Sequence, residues 1–128
     1  MGTQYLIDSN AVIDYLSGIL PVSGMKFMDG VVNAVPQVSV ITKIEVLGYN
    51  TPPAAYQFLI DFMNDAAVLE LTDDVVNQTI ALRQQVKIKL PDAIIASTAL
   101  VNGFELISRN TSDFKNVGGL TVIDPHSI

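Results

Sequence analysis

The sequence predicts an α/β layer protein built on a mostly parallel sheet. Short apolar and β-branched runs of strand length alternate with segments whose apolar residues recur at helical spacing. Helices separate the runs, so the strands are joined by crossovers, the connection that parallel strands require. The apolar share is 49% and the charged share 16%, against a usual charged share of about 25%. That excludes disorder and leaves apolar surface for a partner.

Each element has its reason. Tyr5-Leu6-Ile7 is an apolar run ending at Asp8, and Ala11, Val12, Tyr15 and Leu16 then recur at helical spacing until Gly18. Pro21–Gly24 reads as a turn and Met25–Ala34 as a short helix. Gln37–Ile41 alternates and is β-branched, which predicts a strand. Thr42 opens a helix carrying Ile44, Val46 and Leu47, closed by Gly48. Pro52-Pro53 starts a helix to about Asn64, followed by a strand over Ala67–Leu71 and a helix over Asp73–Val86. Pro91 begins a helix through Val101, stopped by the C-cap pair Asn102-Gly103. Phe104–Ile107 and Leu120–Ile123 are the fourth and fifth strands.

The 128 residues make one domain, 1–128, long enough to bury a core without staples. With no cysteine, a disulfide framework, a thiolate metal site and a Cys nucleophile are excluded. No uncharged stretch reaches the ~18 residues a membrane span needs, and Asp8 interrupts any signal-peptide core. A cytoplasmic domain is expected.

In a parallel sheet, ligands bind beyond the carboxyl ends of the strands. Acids stand there in four places: Asp8 after the first strand, Glu45 in the helix after the second, Asp92 beside Pro91, and Asp113 past the fourth strand with Asn110 nearby. Each has a purely structural explanation. Asp8 suits a helix N-cap, Thr42-Lys43-Ile44-Glu45 suits a capping box, Pro91-Asp92 is a favoured helix start, and Asp113 suits a solvated loop. Together they point elsewhere. A sheet that brings its strand ends together gathers these carboxylates, and gathered carboxylates need a counter-charge. Hard divalent cations take oxygen ligands, so metal-assisted attack of water on a phosphodiester is the expected chemistry.

The motifs carry a family resemblance. Tyr5-Leu6-Ile7-Asp8-Ser9-Asn10 resembles the opening motif of PIN domains, and Thr42-Lys43-Ile44-Glu45-Val46 their second acidic motif. Lys89-Leu90-Pro91-Asp92-Ala93-Ile94-Ile95-Ala96 is similar to the third, the most specific of the set. Ser108-Arg109-Asn110-Thr111-Ser112-Asp113-Phe114 is similar to the closing motif of VapC-type toxins. The resemblance covers nearly the whole chain. It implies a three-layer fold with a five-stranded parallel sheet flanked by helices. It further implies an endoribonuclease dependent on Mg2+ or Mn2+, a toxin neutralised by a cognate antitoxin, and a homodimer. Carried over by position, Asp8, Glu45, Asp92 and Asp113 form the metal-binding acidic set. Asn110 stands where many PIN domains carry a further acid. Chemistry favours Asp113 as the fourth ligand, with Asn110 orienting a ligand or the attacking water.

The net charge of −6 runs against RNA binding. Without the four candidate acids the balance is close to neutral. Five of the seven basic residues, Arg83, Lys87, Lys89, Arg109 and Lys115, fall between positions 83 and 115. Arg109 and Lys89 are read as phosphate contacts; Arg83 and Lys87 also suit solvated surface. His126 has no sequence partner and reads as structural. Tyr49, Tyr56, Phe58 and Phe62 recur at roughly helical spacing as core, and the weakly charged segment Thr51–Met63 suits a dimer or antitoxin surface.

Two alternatives are a non-catalytic PIN-like binding module and a phospho-receiver-like domain. A receiver needs an acid pair after the first strand and an acceptor Asp after the third. Asp8 has no adjacent acid, and Thr72-Asp73-Asp74 opens a helix. A pure scaffold has no reason to gather charge.

Overall fold

The structure, a computed structural model, describes residues 2–128. Five strands form one wholly parallel sheet: β1 (Tyr5–Ile7), β2 (Gln37–Ser39), β3 (Ala67–Leu69), β4 (Glu105–Ile107) and β5 (Val122–Ile123). Their order is β3-β2-β1-β4-β5. The helices are α1 (Ser9–Leu16), α2 (Val22–Asn33), α3 (Val40–Leu47), α4 (Pro53–Asp65), α5 (Asp73–Gln85), α6 (Leu90–Asn102) and α7 (Thr111–Phe114).

The period of two along each strand builds three layers. Ile7, Val38 and Ile107 point to one face and join Ala11, Val12, Met28, Val46 and Phe62 from the first four helices. Leu6 and Leu106 point to the other face, where they meet Leu82, Ala93, Ile95, Ala96 and Phe114 from the last three. The register keeps the faces aligned, pairing Leu6 with Leu106 and Ile7 with Ile107. α6 is buried along Ala93–Ala99, as expected of an element with few charges beneath which the sheet runs. Gly103 ends it at φ 69, the left-handed cap expected from Asn102-Gly103.

The structure corrects several boundaries. Pro21–Gly24 is not a turn: Pro21 is the N-cap of α2, and Gly24 lies inside the helix. Glycine is needed there for close approach, since a Cβ would stand 2.0 Å from the Pro125 carbonyl oxygen. β2 ends at Ser39, two residues earlier than expected. The Ser39 hydroxyl accepts from the Thr42 N–H at 3.1 Å, so α3 starts at Val40 and no capping box forms at Thr42. This cap overrides the β propensity of Val40 and Ile41. β3 ends at Leu69 and β5 spans only Val122–Ile123. Asp113 lies in the short helix α7 rather than a loop. No helix among the described residues is long and apolar enough to cross a membrane.

Candidate active site

The sheet reverses its direction of build between β1 and β4, which opens a crevice at the carboxyl ends of those strands. Asp8 stands at its floor. Its N–H donates to the Ile107 carbonyl at 2.9 Å and extends the β1–β4 ladder by one rung. Only 4% exposed, its carboxylate accepts from Ser9 N–H at 2.8 Å, Asn10 Nδ2 at 3.1 Å and Ser108 Oγ at 2.7 Å. Asp8 is therefore both the N-cap of α1 and a member of the acidic set. Burial pushes its pKa above the ordinary value; the Ser108 and Ser9 hydrogen bonds oppose this, and Glu45 adds to it.

Ser108 and Asn10 hold this floor together. Ser108 is buried at the end of β4, and its Oγ accepts from Asn10 Nδ2 at 3.2 Å and the Asn110 N–H at 3.1 Å. Asn10 Oδ1 in turn accepts from the Arg109 N–H at 2.9 Å. One amide thus ties the start of α1 to the segment leaving β4. Replacing Ser108 by alanine removes the shortest donor to a buried carboxylate. The expected loss is about 1–3 kcal/mol of stability, read by urea denaturation; an unchanged midpoint would show that the bond contributes nothing.

Glu45, exposed on α3, accepts from Ser9 Oγ at 2.6 Å, which leans it toward Asp8. Asp92 is half-buried in the first turn of α6. Its pKa is raised by desolvation and then by Asp8, Asp113 and Glu45 in turn, with Lys89 alone opposing them. The other three predicted acids therefore all act electrostatically on Asp92. They divide between two clefts that share Asp92. A cleft of about 240 Å3 holds Asp8, Glu45, Asp92 and Asn110, rimmed by Asn10 and Arg109. The second, about 480 Å3, holds Asp92 and Asp113 with Lys89.

Arg109 is not free on the rim. Its guanidinium lies 3.2 Å from Asp14 Oδ2, and His126 Nε2 is 2.8 Å from the same oxygen. Asp14 is only 4% exposed. His126 thereby links the segment after β5 to α1. Sequence reasoning did not single out Ser9, Asn10, Asp14 or Ser108. The first two lie in the opening motif and Ser108 begins the closing one, which is a usable signal. Asp14 has none, because its partners lie 95 and 112 positions away.

Among the described residues, no three His, Asp or Glu side chains stand close enough to close on one ion unaided. The donor set nevertheless fits a hard cation. It is all oxygen, it gathers anions whose repulsion is visible in Asp92, and Mg2+ takes only one or two carboxylates while keeping its waters. A larger cavity of about 600 Å3 lies at the opposite end of the sheet, against Tyr5, Phe27 and Val31. Among the described residues, no acidic or basic side chain lines it.

The aromatic positions separate on folding. Phe62 is buried, and Tyr56 donates to the Leu47 carbonyl at 2.7 Å. Tyr49 and Phe58 are 59% and 68% exposed.

The PIN domain family profile matches residues 5–120. No curated protein matches the chain. Among solved structures, a toxin–antitoxin complex from Klebsiella pneumoniae contains a chain 33% identical to this one, with a TM-score of 0.75 over 98% of this chain and 100% of that one. A DNA-bound VapBC from Salmonella typhimurium is 17% identical, with a TM-score of 0.83 over 97% and 99% of the two chains. VapBC2 from Rickettsia felis, bound to a promoter DNA fragment, is 18% identical with a TM-score of 0.79 over 94% and 98%. The latter two share the fold. With its acidic crevice at the strand ends and a family match along nearly its whole length, the chain belongs to the PIN domain family.

Proposed function

We propose that the chain is a metal-dependent endoribonuclease and the toxin of a toxin–antitoxin pair, acting in the cytoplasm. The observation that carries this is the electrostatic convergence of Asp8, Glu45 and Asp113 on Asp92 in a PIN-domain crevice. The similarity to a chain of the Klebsiella pneumoniae toxin–antitoxin complex supports an antitoxin partner. The exposed Tyr49 and Phe58, with α4, are the surface we assign to the antitoxin or a second copy in a homodimer.

Asp8, Glu45, Asp92 and Asp113 would hold Mg2+ or Mn2+. A cation bound there supplies charge neutralisation at the phosphodiester and a water acidic enough to attack near neutral pH. The chain's own residues do the positioning. Ser108, Ser9 and Asn10 fix both oxygens of Asp8, and Ser9 Oγ holds Glu45 toward it. Arg109, fastened by Asp14, presents positive charge on the same rim, where a substrate phosphate would sit.

The reading is tested with the purified chain and structured RNA in Mg2+ or EDTA. Cleavage that appears with Mg2+, stops with EDTA and is blocked by a cognate antitoxin is the expected result. Persistent cleavage in EDTA would overturn the metal dependence. The fourth position has its own test. Asp113→Ala is expected to reduce cleavage and weaken Mg2+ affinity, whereas Asn110→Ala slows cleavage with little change in metal binding. Isothermal titration separates them, and the reverse pattern would exchange the two roles.

A further inference from the structure

The second cleft is not only a shelf for Asp113. Of the chain's seven basic residues, Arg83, Lys87 and Lys89 line it together. Their alignment has a local cause. Arg83 lies in the last turn of α5, and the short linker to α6 has extended backbone at its two ends, with φ −134 and ψ 153 at Val86 and φ −66 and ψ 147 at Lys89. Along it Val86 and Ile88 are half-buried against the core while Lys87 and Lys89 are exposed. The cleft continues past Asp92 toward the acidic crevice, because both are lined by that residue. Three cations therefore line one cleft that shares Asp92 with the acidic crevice, on a chain whose net charge is −6.

We infer that the Arg83–Lys87–Lys89 cleft is the binding track for the phosphodiester backbone of single-stranded RNA, delivering it to the acidic crevice past Asp92. This rests on the ribonuclease reading above. Val86, Ile88 and Val117 form the cleft's apolar wall and no aromatic side chain lines it, so the track grips phosphates rather than stacking bases. Its contribution is independent of sequence.

The test uses the full chain and fluorescein-labelled oligouridylate in EDTA, followed by anisotropy across a salt series. Three phosphate contacts on a single strand predict a log–log salt slope of about −2. In Arg83→Gln/Lys87→Gln the slope is expected to fall to about −0.7, with weaker binding, while Lys26→Gln on α2 leaves it unchanged. An unchanged slope in the double variant, or no binding of oligouridylate by the wild type, would overturn the track. So would a double variant that loses binding to oligoglutamate but not to oligouridylate, which would make the cleft a docking site for an acidic peptide. Mg2+-dependent cleavage by the wild type is scored separately. If it is absent while the slope still falls, the ribonuclease reading fails and the track stands as a nucleic-acid site. If cleavage is present and the slope does not move, only the track fails.

Discussion

Asp92→Asn is expected to lower Mg2+-dependent RNA cleavage by more than about a hundredfold while leaving the fold intact. The threshold follows from metal sites in general, where loss of a supporting partner alone costs about 10–100-fold. Asp92 is the residue shared by both clefts and the one on which the other three acids act. The amide keeps its shape and removes its charge. Circular dichroism and cleavage would be measured on the same preparation, and wild-type rates in the variant would remove Asp92 from the active site.

The second large effect is on stability, and its sign changes with metal. Asp92 holds its proton more tightly folded than unfolded, so its contribution to stability is present below the ordinary value of 3.8 and is lost as pH rises through the raised one. Asp8 acts in the same direction, mainly through burial. In EDTA near neutral pH, Asp92→Asn is therefore expected to melt higher than wild type, and the difference should shrink as the pH is lowered toward 4. Millimolar Mg2+ should reverse the order. A ligand at 100 times its dissociation constant stabilises the native state by about 2.7 kcal/mol, and the variant forgoes much of that. Thermal melts with EDTA and Mg2+ across pH decide it. Were Asp92 only a favourable helix start, asparagine would melt slightly lower at neutral pH, by the few tenths of a kcal/mol that the helix dipole is worth, with no metal dependence.

Asp8 is the poorer choice for that experiment, and the reason is structural. Its two oxygens take donors from Ser9, Asn10 and Ser108. Asparagine would turn an NH2 against one of those sides and lose hydrogen bonds along with repulsion, so the two effects would mix.

What the sequence determined by itself was local in origin. Strand-length apolar runs between helical periods were enough for an α/β fold on a mostly parallel sheet, and parallel topology was enough to expect Asp8, Glu45 and Asp92 around one crevice. The three layers came with the family resemblance, and only the structure set Asp113 in the neighbouring cleft and Asn110 in the first. A strand end followed by an acid is a short-range pattern, so the acids were legible. Gly103 was legible for the same reason, since a helix stop is decided within a few residues. The start of α3 was not, because a single Ser39 hydroxyl outweighs the β propensity of the two residues after it. The partners of Asp8 were not legible either. Ser108 lies 100 positions away and meets Asp8 only because β4 is laid directly beside β1. Asp14 reads as an ordinary helix residue until folding brings Arg109 and His126 onto it. Tertiary structure likewise decided that Lys89 shares a cleft with Arg83 and Lys87, while Arg109 faces the acids from the other side. Periodicity and caps act over one or two turns of chain, whereas the pairing of distant polar groups is set by strand order, which the spacing of residues does not encode.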